Sequence, residues 1–285
     1  MLKKLFKYDF NAIKSIWWIV AATLPVISVV GALGLRAFIG ATSVDSEAAS
    51  VIFGILGMLV FFFSIIALFS SPLVTLVLVQ YRFYKNLYSD EGYLTFTLPV
   101  KRSEILLSKT LNALVWDIFH VLVIVGCVVI YLVIAPPSDL GPINLSVYAP
   151  VFETLSMAGP TLLWIIPYVI AALFFFIASD FYSIAIIELC ITMGAVVANK
   201  YKLLAGIGIY YAANTVISVI SQVITSLAPL FIIPGYEYYM SDMGVNATLL
   251  STLMLIFVVS CAFIVLGLIA YCITLDRIER KLNLA

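Results

Sequence analysis

Charged residues are scarce in this 285-residue chain, at 11% against 64% hydrophobic ones. Ordinary soluble domains carry roughly 25% charged residues. That shortage, with a mean hydropathy of +1.17, excludes a water-soluble fold, because a domain of this size cannot hide so much apolar surface and hydrocarbon is its natural solvent. Histidine occurs once, which leaves nothing from which to build a two-histidine protease site or a histidine zinc site. The four cysteines, Cys127, Cys190, Cys261 and Cys272, lie far apart inside apolar runs with no CxxC pair. They read as small core or lipid-facing residues rather than disulfides or metal ligands. A G-x-x-x-x-G-K-S/T loop for cradling phosphates is missing too, and the apolar runs leave no room for an ATPase domain. The formal net charge is zero, so nothing points to nucleic acid.

What is present is apolar sequence in long, continuous runs. Lipid offers backbone amides no partners, so only helices or closed barrels can cross it. Barrel strands alternate over about ten residues, and these runs do not. The expectation is an all-α membrane protein, a single transmembrane domain over 1–285 with six transmembrane helices. A span needs about 20 apolar residues, and the candidates are Ser15–Leu35, Val51–Val79, Leu111–Ile134, Thr161–Val197, Leu203–Leu227 and Thr248–Ile273. The first run is too long for a cleavable signal and lacks a small-residue cleavage site, so it is expected to stay as an anchor.

Cations set the orientation, since Lys and Arg are retained on the cytoplasmic side. With the N-terminus inside, Lys3, Lys4, Lys7, Lys14, Arg82, Lys85, Lys101, Arg102, Lys109, Lys200, Lys202, Arg277, Arg280 and Lys281 fall on that side and Arg36 falls outside. Both ends are then cytoplasmic. The fourth stretch is long, about 37 residues against the roughly 20 a span requires. Splitting it would carry Lys200, Lys202 and the basic tail outside, so the charge rule favours one crossing. Pro160 and Pro167 predict a kinked or partly interfacial outer end. The external loops are placed at 135–160 and 228–247.

Ahead of the first span, Leu2, Leu5, Phe6, Phe10 and Ile13 recur at helical spacing among Lys3, Lys4, Lys7 and Lys14. This pattern predicts an amphipathic helix over 1–14 in the cytoplasmic interface, the alternative being a topology signal alone. The longest cytoplasmic connection, 80–110, is denser than a turn of about 2 to 8 residues requires. It contains Asp90 to Arg102, DEGYLTFTLPVKR, in which Gly92 allows a turn or close approach, Pro99 ends the element before it, and Ser103 with Glu104 can start the next helix.

Over Tyr84 to Lys109, YKNLYSDEGYLTFTLPVKRSEILLSK, the chain resembles permease subunits of bacterial ATP-binding cassette transporters of the type-2 permease family, the type V exporter fold. Span number, orientation, the N-terminal amphipathic segment and the basic turn Asn199 to Lys202 extend the likeness. The resemblance implies a cytoplasmic coupling helix between spans 2 and 3 that rests on a separate ATPase subunit. On that transfer Asp90 and Glu91 meet basic groups of the partner, Gly92 and Pro99 shape the element, Leu94 and Phe96 fill an apolar cleft, and Arg102 ties the loop to the membrane base. It implies also a second permease subunit, identical or homologous, and ATP with magnesium held in the ATPase, with no cofactor and no catalytic residue in this chain.

Ionisable residues inside a bilayer are costly and tend to face protein or water. Asp117 and His120 lie three apart on one face of the third span, and Asp180 and Glu188 lie in the fourth. These four are the candidate substrate path. The competing readings are a local Asp117–His120 pair near the interface, and hydrogen bonding of Asp180 and Glu188 to polar side chains of neighbouring helices. An ion-coupled secondary transporter using Asp180, Glu188 and His120 as a proton relay is the alternative function. Gly206 and Gly208 beside Tyr210 and Tyr211 are expected to permit close helix packing.

Overall fold

The computed structural model describes residues 2–41, 46–89, 91–97, 99–135, 149, 165–198, 200–242 and 245–280. Among them the secondary structure is helical throughout, in seven helices: α1 (Leu2–Gly40), α2 (Glu47–Tyr88), α3 (Glu91–Phe96), α4 (Arg102–Ile134), α5 (Ile165–Val197), α6 (Lys202–Asp242) and α7 (Val245–Arg280). Six contain stretches long and apolar enough to cross a membrane: α1, α2, α4, α5, α6 over 202–220, and α7 over 249–280. The chain is therefore a multi-pass membrane protein in its build. The described part of the fourth stretch, 165–197, is one helix, and Pro167 falls in its first turn, where a missing N–H leaves no bond unmade. Asp90, Asn199, Lys281, Pro160 and the loop 136–160 apart from Ala149 lie outside the described residues. Within 228–247 the backbone is helical through Asp242 and again from Val245.

Two lengths depart from the sequence reading. Residues 2–14 do not form a helix of their own but run unbroken into the first span as α1, which has 39 residues. Helix α2 has 42 residues, about 63 Å at 1.5 Å per residue. That is twice a hydrocarbon core of about 30 Å, so one end stands clear of it, and the end rich in polar groups is Arg82 to Tyr88.

The chain divides into two compact units, with boundaries within α2 and α4 and at the start of α1. One comprises 3–79 and 111–157. Its core gathers Leu24, Leu68 and Cys127, with Val20, Val123 and Tyr131 against them. Helices α1 and α2 approach closely where Gly34 faces Gly57: a Cβ on Gly57 would sit 2.5 Å from the Gly34 carbonyl and 2.7 Å from the Phe38 amide. The apolar stripe of the N-terminal segment is partly covered by protein here. Phe10 stacks on Trp116 with centroids 4.5 Å apart, Trp17 lies 4.8 Å from the same ring, and Asn112 donates to the Phe6 carbonyl at 3.2 Å. Lys3, Lys4, Lys7 and Lys14 remain exposed.

The other unit comprises 1–2, 80–110 and 158–285. Helix α5 packs on both α6 and α7. Phe174 stacks on Phe257 at 5.7 Å, Tyr182 lies 5.3 Å from Phe263, and Tyr168 donates to the Leu249 carbonyl at 2.9 Å. The turn from α5 to α6 is tight because Gly194 meets the backbone of Gly206, where a Cβ would come 2.7 Å from the Lys202 carbonyl. Gly206 thus permits close packing as expected, with Ile191 Cα 3.1 Å from where its Cβ would stand, whereas Gly208 faces open space.

Candidate functional site

Helix α3 is the short element between α2 and α4, and the sequence around it explains its limits. Gly92, buried, donates its amide to the Ser89 carbonyl at 2.8 Å, which turns the chain out of α2. Thr97 closes the last turn by donating to the Tyr93 carbonyl at 3.2 Å, Pro99 follows exposed in a bend, and the Glu104 amide bonded to the Lys101 carbonyl at 3.0 Å opens α4.

Glu91 turns inward. Lys85 Nζ reaches Glu91 Oε1 at 2.9 Å. With the Asn86 amide oriented by its neighbours, its NH2 donates to Glu91 Oε2 at 2.9 Å and its oxygen accepts from Lys109 Nζ at 2.9 Å. Thr95 adds a bond to the Asn86 carbonyl at 2.8 Å. Both carboxylate oxygens of Glu91 therefore accept bonds within the chain, while the side chain stays partly exposed. Phe96 is likewise half-buried, its ring centroid 5.5 Å from the Arg102 guanidinium. The outward side chains are Leu94 at 68% exposure and Tyr93 at 67%. Tyr93 went unnoticed in the sequence, although its place beside Leu94 in a polar connection marks it.

Arg102 Nη1 donates to the carbonyls of Ile278 at 2.6 Å and Glu279 at 2.9 Å. These belong to the last turn of α7, whose carbonyls have no helical partner. Arg102 thus caps the C-terminal helix, an interaction strengthened by the charge of the donor.

Deeper in the same unit, Glu188 is 1% exposed and accepts from Thr110 Oγ1 at 2.8 Å. Thr192 gives its proton to the Glu188 carbonyl at 2.7 Å, so Tyr88, 2.7 Å from Thr192 Oγ1, must be the donor there. Buried Lys109 faces Asn86 and also acts electrostatically on Glu188. One polar run therefore leads from α3 through α2 and α4 into α5. Asp180 is half-buried, and among the described residues its Oδ2 has no hydrogen-bond partner.

His120 belongs to the other unit and is 1% exposed. Its Nε2 lies 2.9 Å from Ser71 Oγ and its Nδ1 2.9 Å from Thr75 Oγ1, both on α2. Pro72 lacks an N–H and frees the Leu68 carbonyl, which takes the Ser71 proton at 2.7 Å. Ser71 can then only accept, so Nε2 carries the proton and neutral Nδ1 accepts from Thr75. Asp117 is half-buried one turn away. Glu188 and His120, grouped by the sequence reading, thus sit in separate hydrogen-bonded settings.

An apolar groove of about 760 Å³ lies between α5 and α7, lined by Ile166, Ile170, Phe174, Leu253, Met254 and Phe257 among others. Among the described residues no three His, Cys, Asp or Glu side chains gather in a metal-binding group. Comparison with protein-family models, with curated proteins and with solved structures gives no match.

Proposed function

We propose that the chain is the membrane-spanning permease subunit of an ATP-driven exporter in a bacterial cytoplasmic membrane, forming the substrate path and coupled to a separate ATPase subunit. The observation that carries this reading is α3, a six-residue helix pinned by Lys85 and Asn86 on one side and followed by Arg102 on the other, with Tyr93 and Leu94 turned outward. A held element showing two large apolar side chains suits contact with a partner, because such residues dominate interface energetics when desolvated. It would serve as the coupling helix, with both chain ends on its cytoplasmic side and residues 2–14 of α1 at the membrane border.

The mechanism follows from the bonds around α3. Two permease subunits and two ATPase subunits make the working complex, and ATP with magnesium binds in the ATPases. Closure of the ATPases on ATP moves α3, and the displacement reaches α2 through Lys85 and Asn86, α4 through Lys109 and α7 through Arg102. The bundle then shifts between inward-facing and outward-facing arrangements, by an amount set by the differential affinity of the ATP-bound partner for the two. Affinity isolation of the tagged chain from native membranes tests this reading: a nucleotide-binding ATPase subunit is expected to co-purify. Isolation of the intact chain with no such subunit, and transport that continues without ATP while following the proton gradient, would instead establish the ion-coupled alternative.

A further inference from the structure

We infer that the last turn of α7, Asp276 to Arg280, is a second part of the surface on which the ATPase subunit docks, joined to α3 by Arg102. The inference rests on the exporter reading and extends it to a segment at the far end of the chain. Area is the first argument. A stable interface takes roughly 800 Å² and 20–30 residues from each partner, and a helix of 6 residues with two outward apolar side chains cannot supply it. Neighbouring surface has to be recruited.

Geometry selects which surface. One guanidinium holds both pieces: Arg102 lies 5.5 Å from the Phe96 centroid and donates to the Ile278 and Glu279 carbonyls at 2.6 and 2.9 Å. The end of α7 therefore sits beside the end of α3, within the span of a single side chain. Tyr271 Oη, donating to the Ser103 carbonyl at 3.4 Å, adds a contact two turns further up α7. Ile278 is buried, while the side chains of Glu279 and Arg280 are exposed. The fixed carbonyls keep this turn from fraying, so its outward side chains are presented in one arrangement at small entropic cost.

Charge completes the match. Asp276 and Arg280 pair with each other at 2.6 Å, and Glu279 is a further, exposed acid on the same turn. The partner face that fits is an apolar cleft with a basic residue at its edge. Such an apolar centre with a charged rim is the ordinary anatomy of a protein interface.

The test uses the full chain in its native membrane, with the photoreactive residue benzoylphenylalanine placed at Glu279 and, separately, at Leu94. After irradiation, the cross-linked partner is identified by its labelling with azido-ATP. Cross-links from both positions to the same ATP-labelled subunit are expected. A cross-link from Leu94 alone would overturn the role of α7 and leave the exporter reading standing. Cross-links to an ATP-labelled subunit from neither position would overturn both.

Discussion

His120 Nε2 donates to Ser71 Oγ across 2.9 Å, and Ser71 passes its own proton to the Leu68 carbonyl that Pro72 leaves without a helical partner. Ser71→Ala therefore orphans two groups, the imidazole N–H and the carbonyl, whereas Thr75→Val orphans only Nδ1. Interhelical hydrogen bonds in membrane proteins average about 0.6 kcal/mol and reach about 1.7. Thermal unfolding in detergent is expected to show a loss near these values for Thr75→Val and a larger one for Ser71→Ala. Equal losses would contradict the assigned tautomer. Transport that survives both substitutions would also remove His120 from any proton relay.

Thr110 and Thr274 are both buried and both bond to their own helix, Thr110 to the Leu106 carbonyl at 3.1 Å and Thr274 to the Ala270 carbonyl at 2.9 Å. Thr110 alone reaches across to a carboxylate, Glu188. Thr110→Val should cost about 1–3 kcal/mol by stranding a buried acceptor, and Thr274→Val less than about 0.5 kcal/mol, since only a local back-bond is lost. Chemical denaturation of the two variants compares them directly, and indistinguishable midpoints would show that the Thr110–Glu188 contact contributes nothing.

At Gly194 a methyl group would meet backbone of Gly206 and the Lys202 carbonyl, atoms that cannot rotate aside. Gly194→Ala is expected to lose about 1–3 kcal/mol through overpacking. Gly208→Ala meets nothing within 4 Å and should match or exceed the parent stability, since alanine is the better helix former. A reversed order in thermal denaturation would mean that α5 and α6 do not meet at this turn.

Leu94→Asp and Tyr93→Asp place a charge at the centre of the proposed docking face without touching any internal bond described around α3. Each should weaken association with the ATPase at least roughly tenfold, as truncation of interface anchors by more than about 1.4 kcal/mol does, while the unfolding temperature stays that of the parent. Glu91→Gln makes the opposite comparison. Its ion pair with Lys85 is half-exposed, so only about 0–1 kcal/mol of stability is at stake, and the ATPase should still bind. Retention of the ATPase by both aspartate variants would remove α3 from the interface.

Much of the architecture was legible in the sequence, because the same physics writes both. Six long apolar runs must become helices where backbone groups have no outside partner, and Lys200 and Lys202 after the fourth run, with the basic tail, favoured reading it as one crossing. The continuity of 2–14 with the first span was not foreseeable from amphipathicity, since the stripe of Phe6 and Phe10 looks the same whether lipid or Trp116 covers it. At α3 the sequence marked the segment, but neither the cap that Arg102 places on α7 nor the internal bonds of Glu91. Those bonds depend on Lys85, Asn86 and Lys109, which meet only once α2, α3 and α4 are folded together. Polar partners on apolar helices were the readable signal that went unused: Ser71 and Thr75, like Glu188 and Thr192, stand four apart on one helical face.

The central claim places α3 in the compartment that holds ATP, and side-specific labelling of Tyr93→Cys tests it most directly. The four native thiols lie on helices within apolar sequence, two of them buried, so the parent chain serves as the blank for a membrane-impermeant maleimide. Labelling is expected in everted vesicles and absent in intact cells. Labelling of intact cells would put α3 on the outer surface and contradict the account.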